Sequence, residues 1–133
     1  MVLHSEHNLH ENDLVPLIIG EAIYVHRKLG PGLFENTYKK CLNSRLKKAG
    51  LFVEMEKAIP LIFDDEKLDC GYRADFVINE KIILEIKSVD YLTATHVAQM
   101  LTYLRFGNKK LGLLINFNVL LLKDGLRRIV NKL

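Results

Sequence analysis

Hydrophobic and polar residues alternate at helical spacing through the first part of the chain. Apolar side chains recur every three or four residues from Asp13 to Leu29, which predicts an amphipathic helix. Asn12 or Asp13 can cap its start, and Gly30-Pro31-Gly32 ends it because proline cannot continue a helix. A second helix is predicted from about Phe34 to Ala49. Its basic side chains lie largely outside the apolar stripe, which predicts a solvated face that can also meet phosphates: Lys39, Lys40, Arg45, Lys47 and Lys48.

The next part of the chain has the pattern of strands separated by turns. Three strands are predicted in succession: Val53–Phe63, Tyr72–Ile78 and Ile82–Val89. Pro60 indicates that the first of them lies at a sheet edge or carries a bulge, because proline cannot donate a ladder hydrogen bond. Tight turns are predicted at Asp64-Asp65-Glu66-Lys67 and at Asn79-Glu80-Lys81.

The remaining segments define the fold class. A helix is predicted over Thr93–Phe106, with Thr93 as its cap, and a buried strand over Leu111–Phe117. Within Val119–Val130, Lys123-Asp124-Gly125 is predicted to be a turn with a short strand on each side. The helix between strands indicates a crossover and at least one parallel pair, whereas the preceding meander is antiparallel. We therefore expect a single α/β domain over residues 1–133, with a mixed β-sheet flanked by helices on both faces.

The composition gives limited information about the binding partners of the protein and about its cellular compartment. The formal net charge is +3 and 49% of the residues are hydrophobic, so an anionic partner is permitted but not demonstrated by bulk charge. Cys41 and Cys70 form no CxxC pair, and with no secretion signal we expect a reducing, cytoplasmic location. The most apolar stretch, Leu111–Leu122, is too short to span a bilayer. His4, His7 and His10 have a spacing that can hold a metal on a helix, but we expect residues 1–10 to be a flexible terminus.

Three charged residues interrupt otherwise apolar strands: Asp75, Glu85 and Lys87. Charges in such positions are costly unless they are paired or bind a metal. Glu85 and Lys87 point to the same face because side chains alternate along a strand. If Asp75 lies opposite Glu85, Ile78 must face Ile82, which leaves a three-residue loop of acceptable length. A two-residue loop without a bulge would instead put the two carboxylates on opposite sides of the sheet.

The chemistry of these residues suggests a metal site. Two carboxylates on neighbouring strands offer the hard oxygen ligands that Mg²⁺ and Mn²⁺ prefer. Such a metal can polarise a phosphodiester and lower the pKa of a bound water, and a lysine beside the second carboxylate can orient that water. An alternative stays open, in which Asp75 or Glu85 forms an inward salt bridge with Lys87.

Several motifs together resemble a known family. Residues 32–38, Gly-Leu-Phe-Glu-Asn-Thr-Tyr, spell the pattern GxxExxY. Gly71-Tyr72-Arg73-Ala74-Asp75, Glu85-Ile86-Lys87 and Gly112-Leu113-Leu114-Ile115-Asn116-Phe117 follow in order, so the likeness covers nearly the whole chain. The sequence resembles the GxxExxY protein family, a bacterial and archaeal group assigned to the PD-(D/E)xK nuclease superfamily. The resemblance implies a restriction-endonuclease-like, three-layer fold and a nuclease that depends on Mg²⁺ or Mn²⁺.

The resemblance also implies roles for individual residues. The implied catalytic residues are Asp75, Glu85, Lys87, Glu35 and Gln99. The implied metal ligands are Asp75, Glu85, Glu35 and the carbonyl of Ile86. Substrate contacts are predicted for Arg73, Tyr103 and Tyr38. Gln99 and Tyr103, one helical turn apart, resemble the glutamine-containing motif of exonuclease-like branches.

Structural roles are alternatives for several of these residues. Tyr38 and Tyr103 can belong to a core with a hydrated hydroxyl group. Arg73 can pair with Asp75 instead of reaching a phosphate. Glu35 can simply favour the positive end of a helix dipole.

Three functions are compatible with this sequence. The first is a metal-dependent phosphodiesterase that hydrolyses DNA or RNA with water, without a covalent enzyme intermediate. The second is a catalytically silent module that keeps the nuclease fold and binds nucleic acid or a protein partner. The third is a hydrolase of another phosphate ester such as a nucleotide, although no P-loop or dinucleotide fingerprint is present. No membrane partner is expected, and a homo-oligomer is neither indicated nor excluded.

Overall fold

The computed structural model describes residues 9–133, and the described range contains three α-helices and seven strands. The helices are α1 (Glu11–Leu29), α2 (Glu35–Lys48) and α3 (Ala94–Phe106). The strands are β1 (Val53–Ala58), β2 (Leu61–Phe63), β3 (Glu66–Leu68), β4 (Arg73–Ile78), β5 (Ile82–Lys87), β6 (Leu111–Asn116) and β7 (Leu126–Val130). A short 3₁₀ helix, Leu122–Gly125, precedes β7.

The N-terminus of α1 differs in detail from the prediction. His10 is the cap, because its Nδ1 accepts the backbone N–H of Asn12 at 3.0 Å, so neither Asn12 nor Asp13 takes that role. At α3 the predicted cap is confirmed, since the Thr93 hydroxyl accepts the His96 N–H and the His96 ring accepts the Thr93 N–H. His4 and His7 lie outside the described residues, so the predictions for the first segment stay untested.

Five strands form one mixed sheet in the order β1-β4-β5-β6-β7. Neighbouring strands are antiparallel except for β5 and β6, which run parallel and are connected through α3. The predicted meander, crossover and parallel pair are therefore confirmed. The β4–β5 register is also the predicted one: Ile78 faces Ile82 across a three-residue loop.

Two helical layers cover the sheet, which gives three layers in all. Residues of α1 and α2 pack on one face against side chains such as Phe76, Leu84 and Ile86. Residues of α3 pack on the other face against a second cluster that includes Val77 and Ile83. Along β5, the side chains of Ile82, Leu84 and Ile86 therefore point towards α1 and α2, and that of Ile83 points towards α3.

The predicted strand Val53–Phe63 is wrong as a single element. It ends at Ala58, and β2 pairs with β3 in a separate two-stranded sheet. Pro60 lies in the break, where its missing N–H removes no ladder bond. The following turn is shorter than predicted, because Asp64 and Asp65 take φ angles of 50° and 64° and Glu66 already begins β3. Such angles suit a two-residue hairpin turn.

The segment before β7 does not form the predicted strand. Its residues fold over the end of β6 instead, where the His26 ring contacts the Val119 carbonyl at 2.7 Å and Leu122 is buried. No helix among residues 9–133 is long and apolar enough to cross a membrane.

Substitution of glycine by alanine is expected to have opposite effects on stability at two positions, Gly125 and Gly20. A Cβ at Gly125 would lie 2.1 Å from the Asn116 carbonyl oxygen, whereas a Cβ at Gly20, in the exposed interior of α1, meets nothing within 4 Å. We expect Gly125→Ala to lower the free energy of unfolding by about 2 kcal/mol. Gly20→Ala should raise it by about 1 kcal/mol, because alanine favours the helix. Urea unfolding monitored by circular dichroism measures both, and equal effects would contradict the described backbone.

Candidate active site

Asp75 and Glu85 lie side by side in the interior of the sheet. Paired positions between β4 and β5 extend only to Phe76 and Leu84, and beyond that point the two carboxylates accept backbone hydrogen bonds. The Ile86 N–H donates to Asp75 Oδ2 at 2.7 Å, and the Asp75 N–H donates to Glu85 Oε2 at 3.3 Å. Each carboxylate therefore accepts an N–H from the opposite strand, and the predicted juxtaposition is present.

The burial of this carboxylate pair has an electrostatic consequence. The exposed fraction is 9% for Asp75 and 7% for Glu85. Burial raises the pKa of Glu85 to about 9, and the hydrogen bond and negative charge of Asp75 act in the same direction. Two adjacent carboxylates in a poorly solvated position disfavour a second negative charge. The pair therefore favours a neighbouring cation or a shared proton.

Lys39 of α2 supplies such a cation, and the prediction that it lies on a solvated face is wrong. It is buried, and its Nζ lies 3.1 Å from Asp75 Oδ1 and also forms an ion pair with Glu56. Burial disfavours the ammonium, but the hydrogen bonds to Glu56 and Asp75 outweigh that effect and raise the pKa of Lys39. The pattern of apolar residues along α2 does not identify Lys39 as a site residue. Its position one helical turn after Glu35 does indicate that the two side chains lie on the same side of the helix.

Glu56 is the second site residue that the sequence did not reveal. It lies in β1 between two residues paired with β4, Met55 with Phe76 and Lys57 with Ala74. This register puts Glu56 at the position opposite Asp75, although the two residues do not form a ladder pair. Its φ angle is 51°, a left-handed conformation that costs a non-glycine residue about 1–3 kcal/mol. No periodicity in the sequence indicates this irregular backbone. The irregularity lies at the strand residue whose carboxylate contacts Lys39.

Glu35 is positioned near the carboxylate pair by the first turn of α2. Burial raises its pKa, the negative charge of Asp75 adds to the effect, and the positive charge of Lys87 opposes it. The segment before α2 is attached to the end of β5, because the Ser88 hydroxyl donates to the Leu33 carbonyl at 2.6 Å. Glu35 thus faces both Asp75 and Lys87 from the helical layer.

Lys87 makes no ion pair with a carboxylate in the part of the chain that the structure describes. The alternative of a salt bridge between Lys87 and Asp75 or Glu85 is therefore not observed, since Lys39 takes that place on Asp75. Lys87 is partly exposed, and its charge lowers the pKa of both Glu35 and Glu85 through space. Its ammonium is thus available to a substrate.

From the opposite layer, α3 brings Gln99 and Tyr103 towards the same carboxylates. The Gln99 amide donates to the Tyr103 hydroxyl at 3.2 Å. Burial raises the pKa of Tyr103, and the charges of Glu85 and Asp75 act in the same direction. The predicted i, i+4 pair is therefore present and faces the site.

Two predicted substrate-binding residues lie elsewhere. Tyr38 is fully buried, stacks on Phe117 with a ring-centroid distance of 4.5 Å, and donates from its hydroxyl to the Gly30 carbonyl at 2.6 Å. It is a core residue that fixes the loop before α2, so it does not contact substrate in this arrangement. Arg73 pairs with Asp69 at 3.4 Å rather than with Asp75. Its guanidinium remains exposed.

Comparison with known proteins agrees with this geometry. A model of the PD-(D/E)XK nuclease superfamily matches residues 12–129, which include every site residue described above. The chain belongs to this superfamily. A search of curated proteins and a search of solved structures each found no match. The restriction-endonuclease-like, three-layer fold is therefore confirmed, whereas the narrower likeness to the GxxExxY group stays a resemblance.

PD-(D/E)XK nucleases typically use divalent metals, and the donor chemistry here fits one. No group of three or more His, Cys, Asp or Glu side chains converges closely enough to form a cage within residues 9–133. Mg²⁺, however, is commonly held by one or two carboxylates and keeps several waters. Asp75 and Glu85 provide such a pair, and burial together with the charge of Asp75 raises the pKa of Glu85, so a further cation beside the pair would stabilise its ionised form. The residues therefore fit a water-rich divalent site.

The pKa of Glu85 predicts how stability depends on pH without metal. Between pH 4.5 and about 9 the folded protein holds a proton that the unfolded chain has lost, so the contribution of Glu85 to stability falls as the pH rises through that window. In the presence of a chelator at pH 8, we expect Glu85→Gln to raise the thermal midpoint by about 3–6 °C. The difference should shrink towards pH 5.

Thermal unfolding followed by circular dichroism measures this effect. Glu66→Gln, which removes an exposed carboxylate from the β2–β3 hairpin, supplies the same change of charge away from the site. A Glu85→Gln midpoint that is lower than wild type, or a difference that is constant from pH 5 to 8, would contradict the described environment of Glu85.

Proposed function

We propose that this chain is a nuclease that hydrolyses phosphodiester bonds of DNA or RNA with a metal-activated water. The observation that supports the proposal most strongly is the buried pair of Asp75 and Glu85, each accepting an N–H from the other's strand, with Lys87 beside them. A structural role alone gives no reason to hold two carboxylates together at this depth. Membership of the PD-(D/E)XK nuclease superfamily supports the same function.

In this proposal Asp75, Glu85 and the Ile86 carbonyl hold Mg²⁺ or Mn²⁺, and Glu35 supports the metal through a water molecule, because the three carboxylates do not converge into one cage within residues 9–133. The negative charge of Asp75 contributes to the raised pKa of Glu35, and the backbone N–H of Ile86 donates to the Asp75 carboxylate. When bound, the metal would polarise the phosphodiester and lower the pKa of the attacking water.

The polar side chains around the pair have distinct tasks. Lys87 orients the attacking water and balances the negative charge that develops on the phosphate. Gln99 donates a hydrogen bond to the phosphate or to a metal-bound water, and Tyr103 holds the Gln99 amide in place. Arg73, exposed at the start of β4, provides a phosphate contact further along the nucleic acid.

Three further assignments belong to the same proposal. The protein acts in the cytoplasm, where the free thiols of Cys41 and Cys70 stay reduced. Residues 1–133 function as a single nuclease domain. Its partner is nucleic acid rather than a membrane, and the net charge of +3 permits that partner without specifying it.

One observation favours a second candidate, a catalytically silent binding module. The ion pair between Lys39 and Asp75 gives the aspartate a structural partner, so its charge can be retained without a metal. Such a module would bind nucleic acid or a protein without cleaving it and would be indifferent to Lys87→Ala. The unpaired state of Lys87 among the described residues favours the enzyme, because a structural lysine would be expected to pair.

Cleavage of labelled single- and double-stranded DNA and RNA tests the proposed function. We expect cleavage that requires Mg²⁺ or Mn²⁺ and falls by about 100-fold or more in Glu85→Ala and in Lys87→Ala, because each variant removes a group that acts in the transition state. Glu66→Gln should cleave like the wild type. Free nucleotides in the same assay separate a nuclease from a nucleotide hydrolase. Cleavage retained by Glu85→Ala would reject the assigned site.

A further inference from the structure

A positive charge of the protein itself lies beside Asp75. Lys39 Nζ lies 3.1 Å from Asp75 Oδ1, while the other oxygen of the same carboxylate accepts the Ile86 N–H. Both oxygens of Asp75 are thus engaged by donors from the protein. A divalent cation that binds Asp75 has to share or replace the contact with Lys39, since two cations on one oxygen repel each other.

Glu56 offers Lys39 a second acceptor. The two side chains form an ion pair that coexists with the contact to Asp75. The side chain of Lys39 is 11% exposed and that of Glu56 is 53% exposed, so the lysine is the buried partner and the carboxylate reaches it from the protein surface. A buried ammonium that left Asp75 would therefore still be neutralised by Glu56.

We propose that Lys39 and Glu56 are positioning residues that set the affinity of the site for divalent cations, an inference that rests on the proposed function. Lys39 neutralises Asp75 when no metal is bound. When a divalent cation binds, Lys39 gives up Asp75 and keeps Glu56. Lys39 thus competes with the metal, and Glu56 weakens that competition by holding the displaced ammonium.

The backbone of β1 supports this assignment. Glu56 has a left-handed conformation inside a strand, at the position opposite Asp75. Such a conformation persists only where the surrounding structure enforces it, and it is commonly found at functional sites. Here the left-handed conformation interrupts the regular pairing of β1 with β4 at Glu56, and the carboxylate of Glu56 contacts Lys39. A lysine with a purely structural role would need only its contact with Asp75.

Direct titration of the metal-stripped, full-length chain with Mn²⁺ tests the proposal without any nucleic acid. Free Mn²⁺ is quantified by electron paramagnetic resonance. We expect Lys39→Met to tighten binding by about 3- to 10-fold, because a competing cation is removed, and Glu56→Gln to weaken it by a similar factor. In the double variant, the Glu56→Gln change should have little further effect, because Glu56 acts through Lys39.

Matched controls remove the same charges nearby. Lys40→Met alters the next residue of α2, which is exposed, and Glu54→Gln alters a carboxylate of the same strand that pairs with Lys57 at 2.8 Å. Both should bind Mn²⁺ within about 2-fold of the wild type, since the exposed charge of Lys40 is screened and Glu54 pairs with Lys57 rather than with Lys39. Unfolding curves confirm that each variant is folded. If Lys39→Met does not fold, Glu56→Gln decides alone: weaker binding supports the proposal, and unchanged or tighter binding overturns it.

The outcomes separate this inference from the proposed function. A wild-type chain that binds no Mn²⁺ would remove the basis of both. A wild-type chain that binds Mn²⁺, with Lys39→Met binding equally or more weakly, would overturn only the competition. The inference also fails if Glu56→Gln weakens binding as much in the absence of Lys39 as in its presence, because Glu56 would then act on the metal directly.

Discussion

Two carboxylates held side by side inside a β-sheet constrain the rest of this structure. Asp75 and Glu85 meet where the paired positions of β4 and β5 end, and each accepts a backbone N–H from the opposite strand. Burial raises the pKa of Glu85 to about 9, so the position favours added positive charge. Two lysines supply positive charge near the pair: Lys39 of α2 contacts Asp75, and Lys87 lies two residues after Glu85 on β5.

The three layers converge on this point through specific anchors. The hydrogen bond between Ser88 and Leu33 attaches the start of α2 to the end of β5, and the buried Tyr38 hydroxyl fixes the preceding loop. These contacts position Glu35 and Lys39 over the carboxylates. From the other face, α3 contributes Tyr103, whose pKa responds to both acids. The fold therefore places charged groups from a strand pair and two helical layers within electrostatic reach of one another.

Local physical rules predict only part of the central hairpin. Strand alternation puts Glu85 and Lys87 on one face, but the register of β4 and β5 depends on the length of the turn, and the observed three-residue turn is the one that brings Asp75 beside Glu85. The crossover helix likewise required a parallel pair. The sequence did not identify Lys39 and Glu56 as site residues, because their environment depends on contacts between residues that are distant in the sequence. A lysine outside a hydrophobic stripe is expected in solvent, and only the carboxylates of Glu56 and Asp75 make burial of Lys39 favourable.

The other differences have similar causes. Tyr38 ends the sequence pattern GxxExxY, but its stacking on Phe117 assigns it to the core, which no spacing rule reveals. Arg73 finds a nearby partner in Asp69. The segment before β7 is held over the end of β6 by His26, a contact between residues far apart in sequence. Superfamily membership establishes the fold more firmly than it establishes turnover, because one fold supports different functions.

The most direct test of the central claim is a crystal structure of the wild-type protein grown with MnCl₂ and measured at a wavelength where manganese scatters anomalously. We expect one anomalous peak between the carboxylates of Asp75 and Glu85, about 2.0–2.3 Å from an oxygen of each. Lys39 should then contact Glu56 alone. Full occupancy of manganese elsewhere, with the Lys39–Asp75 contact intact and no peak at the carboxylate pair, would contradict the account.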